Sequence, residues 1–208
     1  MNQLLIETLV VGQLQTNCYL VVDQKSRAAV VIDPGDGAEY IHNKIRDLEL
    51  IPTKIVATHG HFDHILAAFE IQQAYKIPFL INAKDTFLVE RMQDTAKFFL
   101  KINIHQIPPH VDGDLKEGSK INFGSLTFKV IETPGHTPGS VCLYFEDSKI
   151  MFTGDTLFKS GVGRTDFSYG SQNDLEDSLK KIKHYPGGSR ILSGHGEETC
   201  LEEELGNL

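Results

Sequence analysis

Apolar residues recur along this chain with two different periods, and the switches between them outline its elements. Residues 6–11, 18–22 and 28–32 are short apolar or β-branched runs, broken by Gly12, Asn17 and the polar stretch 23–27. They read as three consecutive strands. D-P-G-D-G at 33–37 is a dense turn signal. Behind it, residues 38–48 place Ile41, Ile45 and Leu48 on one helical face, and Pro52 ends that connection. K-I-V-A-T at 54–58 predicts a buried strand, 64–75 an amphipathic helix and 79–82 another strand. A second long helix is predicted over 85–100, with Phe87, Leu88, Met92, Ala96 and Phe99 as its apolar positions. A loop containing Pro108 and Pro109 closes that unit. From Ile121 the strands return, at 126–131, 140–145 and 150–153. Residues 173–182 predict a helix capped by Asn173 with Glu176 three residues on, and R-I-L-S at 190–193 a last strand. With no repeat, no low-complexity segment and no linker, the alternation predicts one α/β domain over residues 1–208.

Composition narrows the classes. At 208 residues with 40% hydrophobic and 23% charged positions, the chain resembles an ordinary soluble domain. No apolar stretch is long enough for a membrane span. The first twenty residues lack a basic start and carry Glu7, Gln13 and Gln15, which suits a strand–turn–strand better than a secretory signal. Cys18, Cys142 and Cys200 are odd in number, with no CxxC pair, so neither a zinc knuckle nor a disulfide framework is indicated. Cytoplasmic residence is the expectation. A net charge of −8 with scattered cations speaks against a nucleic-acid partner.

The candidate chemistry lies where strands are predicted to end. His59, His61, Asp63 and His64 form T-H-G-H-F-D-H directly after the 54–58 strand. His136 lies in T-P-G-H-T-P-G-S, Asp155 in F-T-G-D and His195 in S-G-H-G, each after another apolar run. Any one of these alone is unremarkable: an H-x-H in a solvated loop, a loop histidine, an aspartate cap. Together, at four strand ends where ligand sites gather, they point to a metal centre. Imidazole and carboxylate suit zinc. Two ions about 3.5–4 Å apart would need a shared carboxylate and roughly three further ligands each, which five histidines and two aspartates supply. His42, His105, His110 and His184 have no such pattern and read as surface histidines.

These residues resemble the metallo-β-lactamase superfamily, whose H-x-H-x-D-H signature is accompanied by a later His, Asp and His. The resemblance covers nearly the whole chain and implies a four-layer αβ/βα sandwich, two mixed sheets with helices outside. It implies that His59, His61 and His136 hold one metal and Asp63, His64 and His195 a second, with Asp155 bridging. Asp63 and Asp155 would be the catalytic carboxylates. Asp33 in the D-P-G turn would orient a ligating histidine; capping the following helix or turn is its other reading.

Within the superfamily, F-T-G-D-T-L-F and G-V-G-R-T-D-F between residues 152 and 167 are similar to the glyoxalase II group, as is T-P-G-H-T-P-G-S. That group hydrolyses S-D-lactoylglutathione and carries a C-terminal helical region for glutathione. Because thirteen residues follow His195, that region is expected to be missing here, which describes a short glyoxalase II-like hydrolase. The implied reaction is cleavage of a small-molecule thioester by a hydroxide bridging two zinc ions. Arg164 would either bind a substrate carboxylate or pair with Asp166; Lys159 and Tyr144 are weaker candidates. The G-R-T-D-F run also resembles persulfide dioxygenases, which use one iron held by residues matching His59, His136 and Asp155, so iron is possible in place of zinc. A β-lactamase or lactonase, a nucleic-acid-processing member and a non-enzymatic binding protein are the remaining alternatives.

Overall fold

The computed structural model describes residues 3–205; positions 1–2 and 206–208, the ends of the expected 1–208 domain, lie outside the described residues. The first half of the chain contributes β1 (Leu4–Val11), β2 (Thr16–Asp23), β3 (Ala28–Ile32), β4 (Ile51–Val56), β5 (Phe79–Ile81) and β6 (Val111–Asp114), paired in that order. The second half contributes β7 (Lys120–Phe123), β8 (Leu126–Glu132), β9 (Val141–Phe145) and β10 (Ile150–Gly154). A small ribbon of β11 (Leu157–Phe158) and β12 (Gly161–Val162) follows, then β13 (Arg190–Ser193) and β14 (Thr199–Cys200). Apart from the ribbon these form a second sheet, in the order β14-β13-β10-β9-β8-β7. Both sheets mix parallel and antiparallel pairs. The helices are α1 (Ala38–Asp47), α2 (Phe62–Ile65), α3 (Ala68–Tyr75), α4 (Thr86–Glu90), α5 (Met92–Leu100), α6 (Gln172–Ile182) and α7 (Leu201–Leu205).

The continuous apolar runs are explained by where the strands lie. All eight positions of β2 are buried, because successive side chains enter different cores. Cys18, Leu20 and Val22 pack with Ile41 and Ile45 of α1 and Ile71 of α3. Tyr19 and Val21 face the other sheet and meet Phe128 and Phe152. A third core sets Cys142, Tyr144 and Met151 against Ile182 of α6 and Leu201 of α7. Three cores between four layers make the expected αβ/βα sandwich. Among the described residues, no helix is long and apolar enough to cross a membrane.

Several expectations need correction. The 64–75 helix is two helices, α2 and α3, because the D-P-G turn presses on it. Ala67 gives its N–H to the Pro34 carbonyl at 3.0 Å, and a Cβ on Gly35 would stand 1.8 Å from the Asp63 carbonyl oxygen. The 85–100 helix is likewise divided: a 3-10 turn (Ala83–Asp85) leads into α4, and Arg91 breaks α4 from α5. Asn82 is the cap of that turn, accepting from Lys84 N, and does not extend the strand. Ser171, not Asn173, caps α6, its Oγ accepting from Asp174 N at 3.3 Å. V-D-G-D of β6 is too polar to announce itself as a strand, and β14 adds an edge beyond β13. Tyr144 packs on Tyr185 in the third core, not among the metal-capable residues.

Candidate metal centre

The strand directions carry the seven candidate residues to one edge. β3 and β4 run parallel. β8, β10 and β13 share a direction, because β9 is antiparallel to its two neighbours and β13 is parallel to β10. His59 and His61 follow β4, and Asp63 and His64 lie in α2. His136 follows β8, Asp155 follows β10 directly, and His195 follows β13. The two halves are stitched at this edge by β2. Asn17 Nδ2 donates to the carbonyls of Ser193 and Gly196 at 3.0 Å, and the Tyr19 hydroxyl donates to the Ser193 carbonyl at 2.6 Å.

All seven come together, in two sets. His61 Nδ1 lies 3.0 Å from His59 Nε2 and 2.9 Å from His136 Nε2. His195 Nε2 lies 3.2 Å from His64 Nε2 and 3.3 Å from Asp63 Oδ2. Asp155 stands between the sets, with Oδ1 3.4 Å from His64 Nε2 and Oδ2 3.5 Å from His136 Nε2. Gly194 makes that approach possible, since a Cβ there would stand 2.3 Å from Asp155 Oδ1.

The outer nitrogens decide which ring atoms face inwards. His136 Nδ1–H donates to the Arg164 carbonyl at 2.8 Å and His195 Nδ1–H to the Leu14 carbonyl at 3.0 Å. His64 Nδ1–H donates to Asp33 Oδ2 at 2.9 Å. Thr58 Oγ1 donates to the same Asp33 oxygen at 2.7 Å and accepts from His59 Nδ1–H at 3.2 Å. His61 Nε2–H is 2.9 Å from the Tyr169 hydroxyl. Five lone pairs are thus turned on the centre, which also holds two carboxylates. Lone pairs at these separations repel one another unless a cation lies between them. Asp155 Oδ1, buried and without a hydrogen-bond partner among the described residues, is a further vacant ligand atom. A metal fits this donor set. Asp33 thus holds His64 and Thr58, and no side-chain hydrogen bond from the N-cap Gly37 closes α1.

Electrostatics agree at His59 and His61. Burial, with the neighbouring imidazoles, pushes His59 well below the ordinary histidine range, and burial and His136 take His61 down to about 3. Both are neutral at pH 7, as ligands must be. For His64 burial acts downwards too, but the carboxylates of Asp155, Asp33 and Asp63 outweigh it and raise its pKa well above the ordinary value. Burial opposes ionisation of Asp155, and His64 with the other imidazoles overcomes it, holding the carboxyl below the usual range.

A cavity of about 240 Å³ opens over His61, Asp63, His136 and Asp155. Arg164 lines it, yet its Nε and Nη2 donate to Asp166 at 2.6 and 2.7 Å. Lys159 pairs with Glu197 at 2.5 Å. The other histidines bind locally: His42 to Tyr75, His110 to Asp112, His184 to the Lys180 carbonyl. Two residues of the site escaped the sequence reading. Tyr169 has no motif around it. Asp85, fully buried, accepts from Gly60 N, Gly139 N and Thr137 Oγ1 at 2.6–2.8 Å, tying the His59 loop to the His136 loop.

Known proteins resemble this chain over nearly its whole length. Hydroxyacylglutathione hydrolase GloC of Haemophilus influenzae is 35% identical over 201 residues, 96% of this chain and 94% of that one. The crystal structure of BLEG-1 B3 metallo-beta-lactamase superposes with a TM-score of 0.89 at 30% identity, covering 97% of each chain. TTHA1623, crystallised in a di-iron-bound form, gives 0.87 at 35% identity over 96% of each. The metallo-beta-lactamase superfamily as a whole matches residues 11–195, and the chain belongs to it.

Proposed function

We propose that this chain is a metal-dependent hydrolase of thioesters, acting on small molecules of the S-D-lactoylglutathione type. His59, His61 and His136 would hold one ion and Asp63, His64 and His195 a second, with Asp155 available to either. The observation that carries the reading is the position of Asp155, whose carboxylate lies beside His136 of one set and His64 and His195 of the other. The relative named as a hydroxyacylglutathione hydrolase supports the thioester. Zinc suits the N/O ligands, and iron suits them as well; the di-iron form of TTHA1623 shows that a related site accepts it.

A pair of divalent ions supplies, when bound, a water whose pKa falls towards about 7 and positive charge for the developing oxyanion. The chain's own groups do the rest. Asp33, Thr58 and the carbonyls of Leu14 and Arg164 lock the imidazole rings, so that no reorganisation is needed as charge develops. Asp63, on the cavity floor, takes the proton that the attacking water gives up. Arg164 forms part of the wall against which the substrate lies. A thiolate leaves readily, so no acid is required above the floor.

The test is metal analysis of chelator-free protein, paired with hydrolysis of S-D-lactoylglutathione. Nearly two ions per chain with turnover is the expected result. One iron per chain, oxygen uptake on glutathione persulfide and no thioester cleavage would replace this reading with a persulfide dioxygenase.

A further inference from the structure

We infer that the aromatic cavity over the His/Asp cluster selects thioesters by the apolar length of their acyl arm. This rests on the thioester reading above and adds the substrate class.

The walls are rings. Phe167 and Tyr169 stack with centroids 5.4 Å apart and planes at 16°. Phe99 meets Phe167 edge-on at 6.4 Å, and Phe62 stacks against Phe99 at 6.0 Å. Phe99 is 44% and Leu14 45% exposed, so large apolar surface faces the cavity mouth uncovered. An apolar arm reaching out from the floor removes that surface, and its own, from water.

Polar partners along the wall are already engaged. Arg164 is the one cation lining the cavity among the described residues. Its charge is met by both carboxylate oxygens of Asp166, and its guanidinium carbon lies 4.4 Å from the Phe167 ring centroid. Thr95 gives its hydroxyl proton to the Arg91 carbonyl at 2.9 Å. An anionic arm on this wall gives up its water to face a guanidinium already paired with Asp166. A hydrocarbon arm loses nothing.

The experiment keeps the thiol constant and lengthens the acyl group. With metal-replete protein, kcat/KM is measured for S-acetyl-, S-butanoyl- and S-hexanoylglutathione. A buried methylene is worth up to about fourfold, and the expected rise from acetyl to hexanoyl exceeds roughly tenfold. Phe99→Ala flattens the series, and Phe99→Leu restores most of the slope. Calorimetric binding of S-hexylglutathione against S-methylglutathione gives a readout independent of turnover, with a preference of roughly tenfold for the hexyl arm. A flat or falling series, an equal affinity for the two thioethers, or a slope untouched by Phe99→Ala overturns the inference. If no thioester is cleaved, the hydrolase reading falls, while the thioether pair still decides whether the cavity takes an apolar arm.

Discussion

On the floor of the cleft, every imidazole of the cluster has its second nitrogen held by a named partner, and four of the five histidines are buried. On the wall of the same cavity, Phe99 and Leu14 stand nearly half exposed, and the Phe62, Phe99 and Phe167 rings hold each other by contact alone. The floor is a polar network, in which losing one partner strands a buried donor or acceptor at about 1–3 kcal/mol. The wall is apolar surface, which tolerates a change of shape at much lower cost. Chemistry and selectivity are therefore separable here, and substitutions can show how far.

The largest effect belongs at the shared carboxylate. Asp155→Asn removes the charge common to both sets, so metal content should fall and turnover should drop by at least on the order of 10²-fold. Retention of full metal and of turnover within tenfold would remove Asp155 from the centre of the scheme. Next is Asp33→Asn, which leaves the ligands in place but disturbs the partner of His64 and Thr58. Metal affinity should weaken by roughly 10–100-fold in a competition titration with a chelating dye. Exhaustive chelation of the native protein tests the floor as a whole: ligand binding at about 100 times its Kd contributes about 2.7 kcal/mol. The thermal midpoint should then fall by roughly 5–10 °C.

The wall should respond differently. Phe99→Ala should move the denaturation free energy by less than about 1 kcal/mol, since half of the side chain is already in water. A loss of several kcal/mol would show that Phe99 supports the fold and not only the cavity. The smallest effect lies away from the cleft, at Asp23. Hydrogen bonds, led by that from Ser125 N, hold its carboxyl at about 2, below its ordinary 3.8. A carboxyl depressed in the folded state stabilises above its unfolded pKa, and that contribution is lost as pH falls from about 4 to about 2. Between pH 5 and pH 2 the native midpoint should fall further than that of Asp23→Asn.

How much of this was legible beforehand depended on sequence distance. The T-H-G-H-F-D-H run and the glycine-flanked His136, Asp155 and His195 were readable because strand ends are marked by short apolar runs. Asp33 was legible only as two alternatives, and the fold chose between them by placing His64 Nδ1 beside its carboxylate. Tyr169 was invisible, because its partner His61 lies 108 positions away and nothing local marks the pairing. Asp85 looked like an ordinary helix residue, yet its carboxylate turns inwards to two backbone amides and a threonine. The predicted 64–75 helix was too long for a related reason: the Ala67 N–H is taken by the Pro34 carbonyl, distant in sequence.

The sequence by itself determined the strands and helices with strong periodicity and the identity of the metal-capable residues, because burial on a strand or helix face imposes a local pattern. The tertiary structure alone decided that these residues form two sets around Asp155, which ring nitrogen each histidine turns inwards, and that Arg164 is engaged by Asp166. Those outcomes depend on directions and distances between elements far apart in the chain, set only when two sheets close on a common core.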